Sequence, residues 1–166
     1  LMGVEKIDFF NAIKTFKGAD NRLELIYKSN SSFVYKDFAH SPSKVKATVN
    51  AIKLQYPNKK LIVAFELHTY SSLNPVFIKK YRNTLKNADD CVISFSEKNM
   101  KIKGFQPISH ELIISAFNHQ KINIANDLIS FEQILLSFDL SNSVLLLMSS
   151  GNFNGFDYKK IKKILK

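Results

Sequence analysis

Three short segments of the sequence are rich in side chains able to exchange protons or form polar contacts: residues 36–42, 66–72 and 149–155. The first contains Asp37 and His40, and the second contains His68 among several hydroxyl side chains. The third contains Gly151 and Gly155, and glycine permits backbone conformations that bring N–H groups close to a ligand. These segments predict a site for a polar or anionic ligand, provided that the fold brings them together.

Hydrophobic periodicity predicts the elements that position these segments. Strand-like runs alternate with helices of about ten residues, which is typical of a mostly parallel sheet with helices on both faces. The first two strands, joined by a short polar turn, are expected to pair antiparallel. The predicted strands are 22–27, 33–38, 61–67, 91–95, 122–125 and 144–148. The predicted helices are 4–16, 42–56, 75–86, 110–118, 131–138 and 158–166.

In sheets of this kind, ligands bind at the carboxyl ends of the strands, and each polar segment follows a predicted strand. Ser41 directly precedes Pro42, so its hydroxyl is expected to cap the second helix while proline occupies the first turn. Gly18 follows the first helix where a C-terminal cap is expected. Cys91, the single cysteine, lies in an apolar strand and is expected to be a buried, unreactive thiol.

Several classes of site lack their motifs. The sequence has no Gly-x-x-x-x-Gly-Lys-Ser/Thr loop and no Gly-x-Gly-x-x-Gly motif for binding phosphates. His110 and Glu111 begin a zinc-binding pattern, but Ile114 stands where its second histidine belongs, so no metal site is predicted. No apolar run approaches the roughly 20 residues that cross a bilayer. A lone cysteine cannot form an internal disulfide, which favours a reducing cytoplasm.

The chain is basic, with 24 Lys and Arg against 14 Asp and Glu among 166 residues. Its net charge of +10 favours anionic partners, and a nucleic-acid-binding module is one interpretation. The aromatic residues fall mostly on apolar faces instead of alternating with lysines as stacking platforms would. No nucleic-acid partner is therefore expected, and the lack of a long apolar run predicts no membrane insertion.

Four short motifs resemble, in order and spacing, those of the C-terminal domain of the Mur ligases. They are residues 16–24 (FKGADNRLE), 37–42 (DFAHSP), 65–71 (FELHTYS) and 148–155 (MSSGNFNG). The resemblance implies one α/β domain over residues 1–166, a Rossmann-like three-layer sandwich. Mur ligases have two further domains, one that binds a UDP-sugar and a central one that binds ATP, and neither is expected within this chain.

The resemblance also implies an activity. The protein is expected to belong to a cytoplasmic, ATP-dependent ligase that joins UDP-N-acetylmuramate to the tripeptide L-alanyl-γ-D-glutamyl-meso-diaminopimelate in peptidoglycan recycling, through an acyl phosphate. ATP and Mg²⁺ are expected to be held mainly by the central domain, so the isolated chain is expected to be inactive. No catalytic residue and no metal ligand are assigned within it.

Three residues are expected to contact ATP, as the resemblance implies: Arg22, Asp37 and His40. Arg22 would donate from its planar guanidinium, and Asp37 would accept from ribose hydroxyls. His40 would line the site beside the N-terminus of the second helix. Judged by residue type alone, the same three positions also fit an exposed strand arginine, a turn carboxylate and a histidine bonded within its loop.

The second segment distinguishes between acceptors. In the family member that adds free alanine, two arginines of a His-Arg-Tyr-Ser/Thr-Arg motif can clamp the carboxylate of the amino acid. Thr69 and Ser72 occupy those positions here, and a free amino acid would leave its carboxylate unpaired. A peptide acceptor is therefore expected, with the alanine-adding ligase as the alternative. The residues expected to contact the peptide are Ser41, His68, Thr69, Ser71, Ser72, Ser149, Ser150, Gly151, Asn152 and Phe153.

Overall fold

The computed structural model describes residues 3–14 and 22–165. The helices in these ranges are α1 Lys6–Lys14, α2 Pro42–Gln55, α3 Glu97–Ile102, α4 His110–Phe117 and α5 Leu128–Ser137. The strands are β1 Glu24–Lys28, β2 Phe33–Asp37, β3 Lys60–Glu66, β4 Asp90–Ser94, β5 Ile122–Ala125 and β6 Ser143–Met148. Two segments form 3₁₀ helices, Phe77–Tyr81 and Tyr158–Lys163.

The strands form a single sheet in the order β1-β2-β6-β3-β4-β5. β1 and β2 pair antiparallel, and every other neighbouring pair is parallel. The predicted topology, a mostly parallel sheet that begins with an antiparallel pair, is confirmed. Because β2, β6 and β3 are adjacent, their carboxyl ends lie side by side at one edge.

Both faces of the sheet are covered, which explains the nearly unbroken apolar runs of β3 and β6. One face packs against α2, α3 and α4, with Ile52 and Phe117 fully buried there. The other face packs against α5 and the second 3₁₀ helix, with Phe131 and Ile161 fully buried. The three-layer arrangement expected from the sequence is therefore present.

Two predicted helices are wrong in type and length. Residues 75–86 form only the 3₁₀ helix Phe77–Tyr81, because Arg82 is non-helical (φ −52°, ψ 127°) and Asn83 has a left-handed backbone (φ 60°). In the basic segment predicted as the last helix, the structure has the 3₁₀ helix Tyr158–Lys163, and residue 166 lies outside the described residues. Helix α3 was not predicted, since Met100 is its only buried residue and it shows no apolar stripe.

The apolar side chains of α1 make a largely exposed face, with Ile7, Phe10 and Ile13 66%, 48% and 48% exposed. Residues 15 and 16 of the predicted first helix, and its expected cap Gly18, lie outside the described residues.

Among the helices of the described ranges, none has both the length and the apolar character that spanning a bilayer requires.

Cys91 lies on β4 with no exposed surface. Burial raises the pKa of its thiol, and the carboxylates of Asp90 and Asp89 raise it further. A thiol held protonated is a poor nucleophile, so the prediction of an unreactive core cysteine is confirmed.

Candidate functional site

The three polar segments meet at one edge of the sheet. β2 ends at Asp37, β3 ends at Glu66, and β6, which lies between them, ends at Met148. Asp37 is in register with Met148, and the backbone N–H of Ser149 donates to the carbonyl of Asp37 at 3.0 Å. The parallel topology thus gathers the segments as the sequence predicted.

A cavity of about 280 Å³ lies beside the end of β2, lined by Arg22, Asp37 and Lys44 among others. Asp37 is 8% exposed, and both of its oxygens accept from the backbone. Oδ2 accepts from the N–H of Leu23 at 2.8 Å, and Oδ1 accepts from the N–H of Ala39 at 2.7 Å. Asp37 therefore fixes the wall of the cavity, while the exposed Arg22 and Lys44 give it positive charge.

This cavity can take part of an anionic nucleotide. Oδ1 of Asp37 also accepts from the hydroxyl of Thr48 at 3.4 Å, whereas Oδ2 has capacity for a second hydrogen bond. The contact of Asp37 with ATP stays a prediction, as does that of Arg22. Within residues 3–14 and 22–165, no three His, Cys, Asp or Glu side chains are grouped so that they could hold a metal ion.

His40 and Ser41 lie where the chain enters α2. Nδ1 of His40 is 2.9 Å from the carbonyl of Phe38, so this histidine is bonded within its own loop. Ser41 has the extended backbone of an N-cap residue, but its hydroxyl makes no capping hydrogen bond, and the predicted hydroxyl cap is wrong. Pro42 begins the helix without it, because the proline ring presets the helical φ angle.

Tyr81 holds this loop in place from the first 3₁₀ helix. It is fully buried, and its hydroxyl donates to the carbonyl of His40. Burial raises the pKa of Tyr81 to about 12, so the hydroxyl remains a donor at neutral pH. No sequence signal marked this residue, because the contact joins positions 41 residues apart.

Glu66 connects the second and third segments. It is 2% exposed, and its Oε2 accepts from the hydroxyl of Ser149 and from the N–H of Phe153 at 2.9 Å. Oγ of Ser149 in turn accepts from the N–H of Gly151 at 2.7 Å. Oε1 lies 3.6 Å from Nδ1 of His68. A single buried carboxylate therefore fixes the glycine-containing segment next to His68.

Aromatic packing anchors the same segment to the core. Phe153 is fully buried and stacks on Phe131 of α5, with ring centroids 4.7 Å apart. Phe156 contacts the Phe131 ring edge-on at 5.2 Å. The ring of Phe153, for which the motif predicts peptide contact, is instead a core side chain, and only its backbone remains near the edge.

The remaining polar residues of this segment, Asn152 and Ser150, differ in whether their side chains already have hydrogen-bond partners. Asn152 is exposed, and its side-chain oxygen accepts from the N–H of Gly155 at 3.0 Å. Ser150 Oγ is buried and has no hydrogen-bond partner among the described residues. Buried hydroxyls usually have partners, so Ser150 has an unused donor at this edge.

Gly151 lies against the ring of His68. A Cβ at position 151 would be 2.7 Å from Nδ1 and 2.9 Å from two ring carbons of His68. We expect Gly151→Ala to displace the His68 ring, which NMR of its ring protons will detect. Because that side chain is 36% exposed and can move, the free energy of unfolding should fall by less than about 1 kcal/mol.

A double-mutant cycle provides the control for Gly151→Ala. In a His68→Ala background the clash is absent, so the alanine at 151 should then have no effect on the free energy of unfolding. If Gly151→Ala lowers the free energy of unfolding equally in the wild-type and His68→Ala backgrounds, residue 151 acts through something other than His68.

Thr69 and Ser72 hydrogen bond to each other. Oγ1 of Thr69 lies 3.0 Å from Oγ of Ser72 and accepts from the N–H of Ser72 at 3.1 Å. Ser72 is 1% exposed, so its side chain supports the turn from within. Ser71 is exposed, with its hydroxyl 3.2 Å from that of Thr69. Residues 68–72 contain no lysine or arginine.

A lysine from another part of the chain reaches this turn. Nζ of Lys103, which follows α3, donates to the carbonyl of His68 and lies 5.2 Å from the ring centroid of Tyr70. Sequence reasoning missed Lys103, since nothing distinguishes it from the other lysines. It also missed Glu66, although a carboxylate that ends an apolar strand is costly to bury without partners and could have been recognised.

The comparisons with known proteins agree with this architecture. No family model matches the chain. The UDP-N-acetylmuramate–L-alanine ligase of Clostridium kluyveri is 28% identical over 156 residues, which cover 92% of this chain and 33% of that protein. The chain thus spans about a third of the length of the curated relatives that it matches.

Solved structures share its fold. A domain assigned to a UDP-N-acetylmuramate:L-alanyl-γ-D-glutamyl-meso-diaminopimelate ligase of Haemophilus ducreyi superposes with a TM-score of 0.63 at 22% identity, covering 86% of this chain and 99% of that one. The UDP-N-acetylmuramate–alanine ligase of Thermotoga maritima superposes with a TM-score of 0.73 at 17% identity, covering 97% of this chain and 34% of that one. The chain is therefore similar in sequence to about a third of a Mur ligase, and it shares the fold of domains from this family.

Proposed function

We propose that this chain is the acceptor-binding domain of an ATP-dependent ligase that joins UDP-N-acetylmuramate to the tripeptide L-alanyl-γ-D-glutamyl-meso-diaminopimelate. Homology to the Mur ligases supports the reaction class, and the chain covers about a third of such a protein. In this proposal, other domains bind the UDP-sugar and hold ATP with Mg²⁺. The place of action is the cytoplasm, and the process is peptidoglycan recycling.

The proposed reaction has two steps. The muramate carboxylate takes the terminal phosphoryl group of ATP, which yields an acyl phosphate and ADP. The amino group of the acceptor then attacks the acyl carbon, phosphate leaves, and the nitrogen loses a proton. This domain contributes by holding the acceptor amine in place and by bringing the positive charge of Arg22 and Lys44 to the nucleotide.

One observation carries the choice of a peptide acceptor. The two positions where a carboxylate clamp is expected hold Thr69 and Ser72, and their hydroxyls bond to each other. A free amino acid bound at this turn would bury a carboxylate without a guanidinium partner, at a cost of several kcal/mol. In a peptide, the carboxyl group of the first residue is part of an uncharged amide. It therefore needs no cationic partner.

Free L-alanine is the second candidate acceptor. The relative from Clostridium kluyveri is an L-alanine ligase, and Lys103 brings an ammonium group to the carbonyl of His68. That ammonium group could pair with the carboxylate of alanine in place of an arginine. The second candidate therefore depends on Lys103.

Acceptor preference tests the proposal. With UDP-N-acetylmuramate and ATP, the ligase containing this chain should use the tripeptide with a kcat/KM roughly a hundredfold above that for L-alanine, given the cost of an unpaired carboxylate. L-alaninamide, which lacks that carboxylate, should be a better acceptor than L-alanine. If the kcat/KM for L-alanine exceeds the values for the tripeptide and for L-alaninamide, the acceptor is the free amino acid.

A further inference from the structure

A shallow groove lies next to the 68–72 turn, on the side of the first 3₁₀ helix. Its volume is about 580 Å³, within the range of roughly 300–1,000 Å³ typical of ligand pockets. The rings of Tyr70, Phe77 and Phe105 line it, and none of its lining residues is acidic. The groove therefore continues directly from the turn at which the acceptor is proposed to bind, and its wall includes three aromatic rings.

Two lysines flank this groove. Nζ of Lys80 is 5.0 Å from the ring centroid of Phe77, and Nζ of Lys103 is 5.2 Å from that of Tyr70. Among the described residues, neither ammonium group has a carboxylate within 4.0 Å. Aromatic faces attract an ammonium group without neutralising it. The groove thus combines an apolar floor with two positive charges that the protein itself does not pair.

We propose that this groove binds the distal part of the acceptor peptide, with Lys80 and Lys103 paired to its carboxylates and the aromatic rings packed against its methylene groups. The inference rests on the proposed tripeptide acceptor and adds the site for the residues beyond its alanine. Those residues carry more carboxylates than amino groups, separated by hydrocarbon, so their net negative charge complements the two lysines. Free alanine is too short to occupy the turn and the groove together.

Steady-state kinetics with the tripeptide tests this proposal. In the ligase containing this chain, Lys80→Gln with Lys103→Gln should raise KM for the tripeptide roughly tenfold or more, because charge-assisted hydrogen bonds are lost. The kcat should change little, since the groove lies away from the reacting amine. The matched control is Lys79→Gln with Lys101→Gln, which removes the same charge from neighbouring exposed positions.

The outcomes separate this proposal from the one on which it rests. If the wild-type ligase uses the tripeptide and the groove variant has the same KM as the control, the groove does not bind the peptide. If the wild type uses only L-alanine, the proposed function fails and the groove proposal falls with it. Lys103 also donates to the carbonyl of His68, so its loss could disturb the turn itself. Lys80→Gln breaks no hydrogen bond within the described residues. This single variant must therefore raise the KM for the tripeptide as well.

Discussion

Glu66→Ala will lower the free energy of unfolding by about 2–4 kcal/mol, because two buried donors lose their acceptor. These donors are the hydroxyl of Ser149 and the N–H of Phe153, which both point at Oε2 of Glu66. Urea denaturation of the chain measures the loss. Amide hydrogen exchange at Phe153 should accelerate at the same time, since its hydrogen bond is gone.

Two variants test the cause of this effect. Glu66→Gln keeps one acceptor oxygen at nearly the same volume, so it should be less destabilising than Glu66→Ala. Glu5→Ala removes a carboxylate from an exposed position and should leave the unfolding curve unchanged. If Glu66→Ala and Glu5→Ala change the free energy of unfolding equally, the carboxylate at the end of β3 does not hold residues 149–155.

Phe131→Ala is expected to lower the free energy of unfolding by about 3–5 kcal/mol. The ring is fully buried between α5 and the sheet, and it contacts both Phe153 and Phe156. Its removal leaves a cavity directly beneath residues 149–155. The same variant should therefore increase amide exchange in this segment, at Gly155 in particular, and at the adjacent Phe156.

Ile52→Ala is the matched control for Phe131→Ala. Ile52 is also fully buried, but it packs on the opposite face of the sheet. It should cost about 2–5 kcal/mol without a selective increase of exchange in residues 149–155. Equal exchange in the two variants would mean that Phe131 does not anchor the segment specifically.

Local patterns were sufficient to predict most of the sheet. The six strands follow apolar runs, and the alternation of strands and helices predicts parallel pairing because each crossover helix returns the chain to the same end of the sheet. Where the local signal was ambiguous, the prediction failed. Residues 75–86 have helical spacing, but the non-helical backbone of Arg82 ends the 3₁₀ helix at Tyr81, and the left-handed Asn83 follows it.

The candidate site was only partly visible in the sequence. The three polar segments were identified because each follows a strand, and the parallel topology brings them to one edge. Ser72 and Phe153 were assigned to ligand contact by motif, but their side chains are buried. A motif records which residue occupies a position, whereas its exposure depends on how neighbouring segments pack.

The sequence by itself determined the order of the elements and the positions of the polar segments, since both depend on residues close together in the chain. Only the tertiary structure decided which side chains hold those segments and which charges reach them. Glu66 contacts residues 83 and 87 positions away, and Lys103 reaches a carbonyl 35 positions away. Contacts at such separations are set by the packing of the sheet and its helices, and no local pattern encodes them.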